Sequence, residues 1–187
     1  REGYVTRHRG RGTFVAQPRT ASEPAGPRLS IHEHLLAEGI HPGWQVLSIE
    51  EHPAPPEIAE RLQLPSGAPI LEIRRIRLGD ERPLGYLSAQ VPAELIDPLD
   101  APQLTTGGSL DYLRSKGLLR GSHADRTITA DAATPEEAAL LDTTPGAPVL
   151  KINRRIVSAD GRPLETCCST YRGDRFRYRL PTTREFP

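Results

Sequence analysis

Two stretches of the chain superpose on each other, and this repeat limits the possible folds more than any other feature. "PEIAERLQLPSGAPILEIRRI" (56–76) and "PEEAALLDTTPGAPVLKINRR" (135–155) align at a constant offset of 79, pairing Pro56 with Pro135, Gly67 with Gly146, Pro69 with Pro148, Leu71 with Leu150 and Arg75 with Arg154. After one inserted residue in the turn, "RPL" recurs at 82–84 and 162–164. Two copies are too few, and the period too long, for a solenoid. The repeat instead predicts two strand-helix-hairpin units in one antiparallel sheet with helices gathered on one face, an α+β layer.

Local patterns fill in the units. Ser30 and Glu33 stand in the S-x-x-E relation that opens a helix, which runs to about Glu38 and closes at Gly39. "WQVLSIEEH" (44–52) reads as a strand and "PPEIAERLQL" (55–64) as a helix with Pro in its first turn. "APILEIRRIRL" (68–78) reads as a strand that turns at "GDER" into "PLGYLSAQV" (83–91). A Pro-rich loop then leads to the helix "SLDYLRSKG" (109–117), and the second unit follows.

The first 29 residues belong to neither unit. "GYVT" and "TFVA" flank "RHRGRG", the pattern of two short strands around a glycine-containing turn. This predicts a hairpin over 1–16, a Pro/Ala/Gly/Ser-rich linker over 17–29 and a body over 30–187. Net charge over the whole chain is zero, yet residues 1–19 carry Arg1, Arg7, Arg9, Arg11 and Arg19 against Glu2 alone, a basic arm on a mildly acidic body. Met is absent even at position 1, and the expectation is a chain that begins inside a larger protein.

Several function classes find no support in the residues. Gly10 and Gly12 begin a G-x-G, but Val15 stands where a dinucleotide loop needs its third Gly, so no cofactor is expected. His32 and His34 are two apart and face different sides of a helix, so no metal is expected. No Ser lies in G-x-S-x-G, and neither cysteine has a recognisable nucleophile context. Cys167 and Cys168 are adjacent, point to opposite faces of a strand and bridge poorly, which favours a reduced, cytoplasmic protein. No apolar run approaches the ~20 residues of a membrane span.

Three constellations carry chemistry, each with two readings. Arg75 and Arg77 alternate on a strand and project to one face, either as a solvated face or around an anion. Glu165, Cys167, Ser169 and Tyr171 alternate likewise, a polar file that is exposed or lines a wet cavity. The helix beginning near Ser109 offers backbone N–H groups to an anion or to water.

These residues resemble a known family. "EGYVTRHRGRGTFVA" is similar to the wing of the winged helix-turn-helix of GntR-type transcription regulators. "PILEIRRIRLGDERPLGYLSAQVP", "GGSLDYL" and "GRPLETCCSTYRGDRFRYRL" resemble the UTRA effector domain of the HutC subfamily. The resemblance implies a chorismate-lyase-like fold behind a remnant wing, in a bacterial, homodimeric regulator, usually a repressor, that binds DNA and answers a small molecule. A chorismate-lyase-like enzyme acting on a small anionic substrate is the alternative, and it gives no reason for a wing.

By position, the resemblance implies that Arg75 and Arg77 bind an anion together with Ser109, and that Glu165 and Tyr171, with Ser169 in the same file, contact the body of the effector. Ile31, His32, Leu87 and Asp111 fall at effector positions where responders to amino-sugar phosphates carry Phe, Ser, Glu and Tyr. The expected effector is therefore another anionic or zwitterionic metabolite, since a carboxylate beside a phosphate costs Coulomb energy. Arg7, Arg9, Gly10, Arg11, Gly12 and Thr13 are the expected DNA contacts, because Arg suits phosphates and the minor groove and Gly permits close approach. The strand "RFRYRL" (175–180) offers an edge for pairing with a second copy.

Overall fold

The computed structural model describes residues 5–8, 12–15, 21–24, 35–97 and 101–179. Its centre is a six-stranded antiparallel sheet made by the two repeats. The first supplies β4 (Pro42–Pro53), α1 (Pro56–Leu62), β5 (Pro69–Gly79) and β6 (Arg82–Pro92). The second supplies β7 (His123–Ala132), α4 (Pro135–Leu140), β8 (Pro148–Val157) and β9 (Pro163–Arg172). The strand order β4-β5-β6-β9-β8-β7 is a palindrome of the two units. In the β6–β9 seam Ser88 lies opposite Cys168, its own repeat equivalent, so a pseudo-two-fold axis passes through that pair.

The halves interlock through their helices. α1 packs against β9 and β6, and α4 against β6, so each helix reaches the other repeat's hairpin. Beneath α1, Ala54, Ala59, Leu62 and Ile70 are buried; beneath α4, Ala133, Ala138, Leu141 and Val149 are. These two helices share one face of the sheet, as the repeat predicts. The segment between the repeats covers the other face with a 3₁₀ turn (Ala93–Leu95), α2 (Ala101–Thr106) and α3 (Gly108–Ser115). The sheet is thus sandwiched. The expected Pro-rich loop contains α2, with Pro102 in its first turn, where a missing N–H costs nothing. Tyr112 and Leu113 of α3 pack there with Ile73, Val91, Leu104 and Ile156.

Three further strands lie outside this sheet. β1 (Val5–His8) and β2 (Gly12–Val15) form the predicted antiparallel hairpin, pairing Arg7 with Thr13 and His8 with Gly12. β3 (Ala21–Pro24), from the expected linker, pairs in parallel with β10 (Phe176–Arg179). The edge expected to receive a second copy is therefore occupied on one side by the chain itself. The Ser30–Glu33 capping pair lies outside the described residues, and helical residues resume at Leu35.

A different capping box appears in the second repeat. The Thr134 side chain accepts from the Glu137 backbone N–H, and Glu137 accepts from the Thr134 N–H, whereas α1 has Pro55 at this position and no side-chain cap. Thr134→Ala should therefore lower the unfolding free energy by about 1 kcal/mol. Urea unfolding should show the midpoint shifted at unchanged slope; an unshifted midpoint would mean that the box contributes nothing.

Candidate functional site

The sheet face under α2 and α3 carries a cluster of charge where a core would be apolar. Alternation on β5 sends Arg75 and Arg77 to this face, and register puts Leu87 opposite Arg75, and Ser169 opposite Leu87. Arg75 is 6% exposed and Arg77 8%. This excludes the solvated reading of the pair. Both guanidiniums lie 4.1 Å from the ring centroid of Trp44 on β4. Each cation–π contact contributes about 2 kcal/mol when desolvated. Among the described residues neither arginine has a carboxylate partner, and Arg75 Nη1 and Arg77 Nε are buried without an acceptor. Burial, with Arg77 beside it, pushes the Arg75 guanidinium below its ordinary value.

A second positive feature meets the first. α3 begins at Gly108 with φ +78° and no side-chain cap. A Cβ at Gly108 would come within 1.7 Å of Arg75 Nη2, so only glycine fits between the helix start and the guanidinium. Ser109, 1% exposed, follows. Helix N-terminus and guanidinium repel each other, and an anion between them reverses the sign of both interactions.

The polar file of β9 is buried throughout: Glu165 0% exposed, Cys167 2%, Ser169 7% and Tyr171 2%. Glu165 Oε1 accepts from Arg154 Nη2 at 2.5 Å, while Oε2 is buried without a donor. The Cys167 and Ser169 side chains are 3.5 Å apart, and burial pushes the Cys167 thiol up. Tyr171 lies across Gly85, where a Cβ would approach its Cδ1 to 2.4 Å, and stacks on Phe176 at 3.9 Å between centroids. Cys168 is exposed on the opposite face, and both cysteines are free.

The structure thus brings together Arg75, Arg77, Leu87, Ser109, Glu165, Ser169 and Tyr171. Asp111 is placed differently: its carboxylate pairs with Arg114 Nη1 at 2.6 Å on the exposed side of α3, and its attraction for Arg75 is a minor one. Ile31, His32, Arg9, Gly10 and Arg11 lie outside the described residues. Sequence reasoning did not single out Trp44 or Arg154 for the site. The repeat held the signal for Arg154, which is the equivalent of Arg75.

The other face of the sheet satisfies its polar groups internally. Glu72 accepts from Ser88 (2.6 Å), Gln90 (2.9 Å) and His52 (3.4 Å), and these bonds outweigh burial and hold its carboxyl below the usual range. A groove of about 210 Å³ on that face, lined by Arg61, Asp125, Thr127, Asn153 and Arg155, has Arg155 paired with Asp125. Among the described residues no group of three His, Cys, Asp or Glu could hold a metal ion, and no helix is long and apolar enough to cross a membrane.

The chain is similar to known regulators over nearly its whole length. Residues 37–177 match the model of the UTRA domain. The HTH-type transcriptional regulator Rv0792c of Mycobacterium tuberculosis is 34% identical over 191 residues, covering 100% of this chain and 69% of that protein. The HTH-type transcriptional repressor NagR of Bacillus subtilis is 31% identical over 177 residues, covering 95% of this chain and 72% of the relative. The crystal structure of PhnF from Mycobacterium smegmatis superposes with a TM-score of 0.82 at 28% identity, covering 98% of this chain and 80% of that one. These relatives are transcription regulators, and they give the lyase alternative no support. The family match over residues 37–177 and these likenesses make the chain a member of the UTRA domain family, the ligand-responsive part of GntR-type transcription regulators.

Proposed function

We propose that a small anionic or zwitterionic metabolite binds the face formed by Arg75, Arg77 and the start of α3, and that its binding changes how the protein holds DNA. The observation that carries this is the pair of buried guanidiniums that lack a carboxylate partner among the described residues, with Arg75 Nη1 and Arg77 Nε left without an acceptor. Taking a charge out of water costs several kcal/mol, and an anion held between the two guanidiniums offsets that cost. Glu165, with its open Oε2, suits an ammonium or hydroxyl on the same ligand. Ser109, Ser169 and Tyr171 supply further polar contacts and Leu87 the apolar floor, and Ile31 and His32 are proposed as further effector contacts on the family resemblance alone.

In this reading residues 1–16 are the wing of a winged helix-turn-helix, touching DNA through Arg7, Arg9, Gly10, Arg11, Gly12 and Thr13. Residues 17–29 link it to the effector domain, 30–187. The protein is a cytoplasmic, homodimeric repressor of the HutC subfamily, its two-fold symmetry matched to a palindromic operator.

A thermal-shift screen of anionic metabolites tests the pocket. A ligand at a hundred times its Kd adds about 2.7 kcal/mol of stability. For the metabolite so found, calorimetry on Arg75→Ala should show a loss of roughly 2–5 kcal/mol in binding, as for a buried charge pair. Unchanged affinity would place the ligand elsewhere.

The wing makes its own prediction. A few phosphate contacts supply only salt-sensitive affinity, so residues 1–187 should bind duplex DNA at roughly 10⁻⁴ to 10⁻⁶ M without sequence preference. Sub-nanomolar, sequence-selective binding in a salt titration would contradict it.

A further inference from the structure

We propose that Phe176 is a positioning residue that couples the ligand face to the segment leading toward the wing: it stacks on Tyr171 and begins the strand on which that segment is docked. The functional meaning of this coupling rests on the pocket proposed above. The mechanical link rests on geometry alone.

Four observations make the link. Gly85 lies opposite Arg77 on β5 and opposite Tyr171 on β9, so Tyr171 crosses the sheet at the height of the clamp. The Tyr171 ring rests on Gly85 and stacks at an interplanar angle of 13° on Phe176, which is 1% exposed, within a buried cluster that also holds Leu35, Ile40, Leu84 and Ile152. Phe176 opens β10, which pairs Phe176 with Ala21 through Arg179 with Pro24 of β3. That pair forms a two-stranded sheet apart from the central six.

An isolated pair of four-residue strands is marginal in water, so β3 stays docked only while β10 is fastened to the body. Phe176, fully inside the buried cluster against which Tyr178 also packs, provides the main fastening. Leu35 and Ile40, just beyond the linker, enter the same buried cluster with Tyr171 and Phe176. Both ends of the stretch between β3 and Leu35 are therefore tied to one aromatic pair, and that stretch holds Ile31 and His32. Close-packed rings transmit a displacement instead of absorbing it. A ligand that moves Tyr171 moves Phe176, and with it the docking of β3.

Hydrogen exchange on the 1–187 chain, without any ligand, tests the link. Gly85→Ala drives a Cβ into the Tyr171 ring, and Phe176→Leu keeps apolar volume but removes the stack. In both, peptides covering 21–24 should lose protection while those covering β5 and β8 exchange at the parent rate. Parental protection of 21–24 in both Gly85→Ala and Phe176→Leu would overturn the coupling, as would loss spread evenly over β5 and β8, which marks a merely structural role. Because no ligand is added, a failure to find anion binding would sink the pocket reading and leave this result standing.

Discussion

Two guanidiniums buried side by side, neither with a paired carboxylate among the described residues, are the constraint on which the rest of the structure depends. Arg75 and Arg77 repel each other and have been taken out of water, and Arg75 faces the positive end of α3. What offsets this within the protein is the Trp44 ring, which both approach to 4.1 Å, and the apolar packing on either side. The Ile73–Tyr112–Leu113 cluster holds α3 down at one end of the face, and the Leu35–Tyr171–Phe176 cluster closes the other. The face is therefore organised by the fold itself, and the cost of ordering it has been met in folding.

Near-symmetry makes the asymmetry of the site informative. The pseudo-axis at Ser88 and Cys168 relates Arg75 to Arg154, yet Arg154 is paired with the fully buried Glu165, while Arg75 has no paired carboxylate among the described residues. Trp44 lies opposite Arg77; at the equivalent place in the second half, Ala124 lies opposite Ile156. One half of the repeat has thus kept an open cationic clamp with an aromatic platform, while the other has closed its arginine into an ion pair and left one carboxylate oxygen free. On the proposed function, a ligand spanning the axis would meet donors on one side and an acceptor on the other, which suits a zwitterion or an anion bearing hydroxyl groups.

Much of the fold was legible because its signals are local or repeated. The offset of 79 predicted the two halves and their hairpins, and strand alternation placed Arg75 with Arg77 and Glu165 with Tyr171. The unread parts depend on contacts distant in sequence. Trp44 joins the arginines through a β4–β5 register that shifts at a bulge between Val46 and Ser48, which no spacing rule contains. The need for glycine at 108 exists only because Arg75, on another element, lies against it. Asp111 looked like a pocket residue by its position, but a partner one turn on, Arg114, draws its carboxylate to the surface. The Thr134–Glu137 box has the same S/T-x-x-E form as Ser30 and Glu33 and was open to the same reading.

If the clamp is an incomplete anion site, its charge destabilises the empty protein and stabilises the occupied one. Urea unfolding of the parent and of Arg75→Met, each with and without inorganic phosphate at constant ionic strength, measures both signs at once. Replacing buried ionic groups by apolar ones of similar volume is often stabilising by about 1–4 kcal/mol, so the variant should be the more stable protein without phosphate. The parent alone should gain stability as phosphate rises. A variant that is less stable than the parent when empty, and that gains as much from phosphate, would contradict the account.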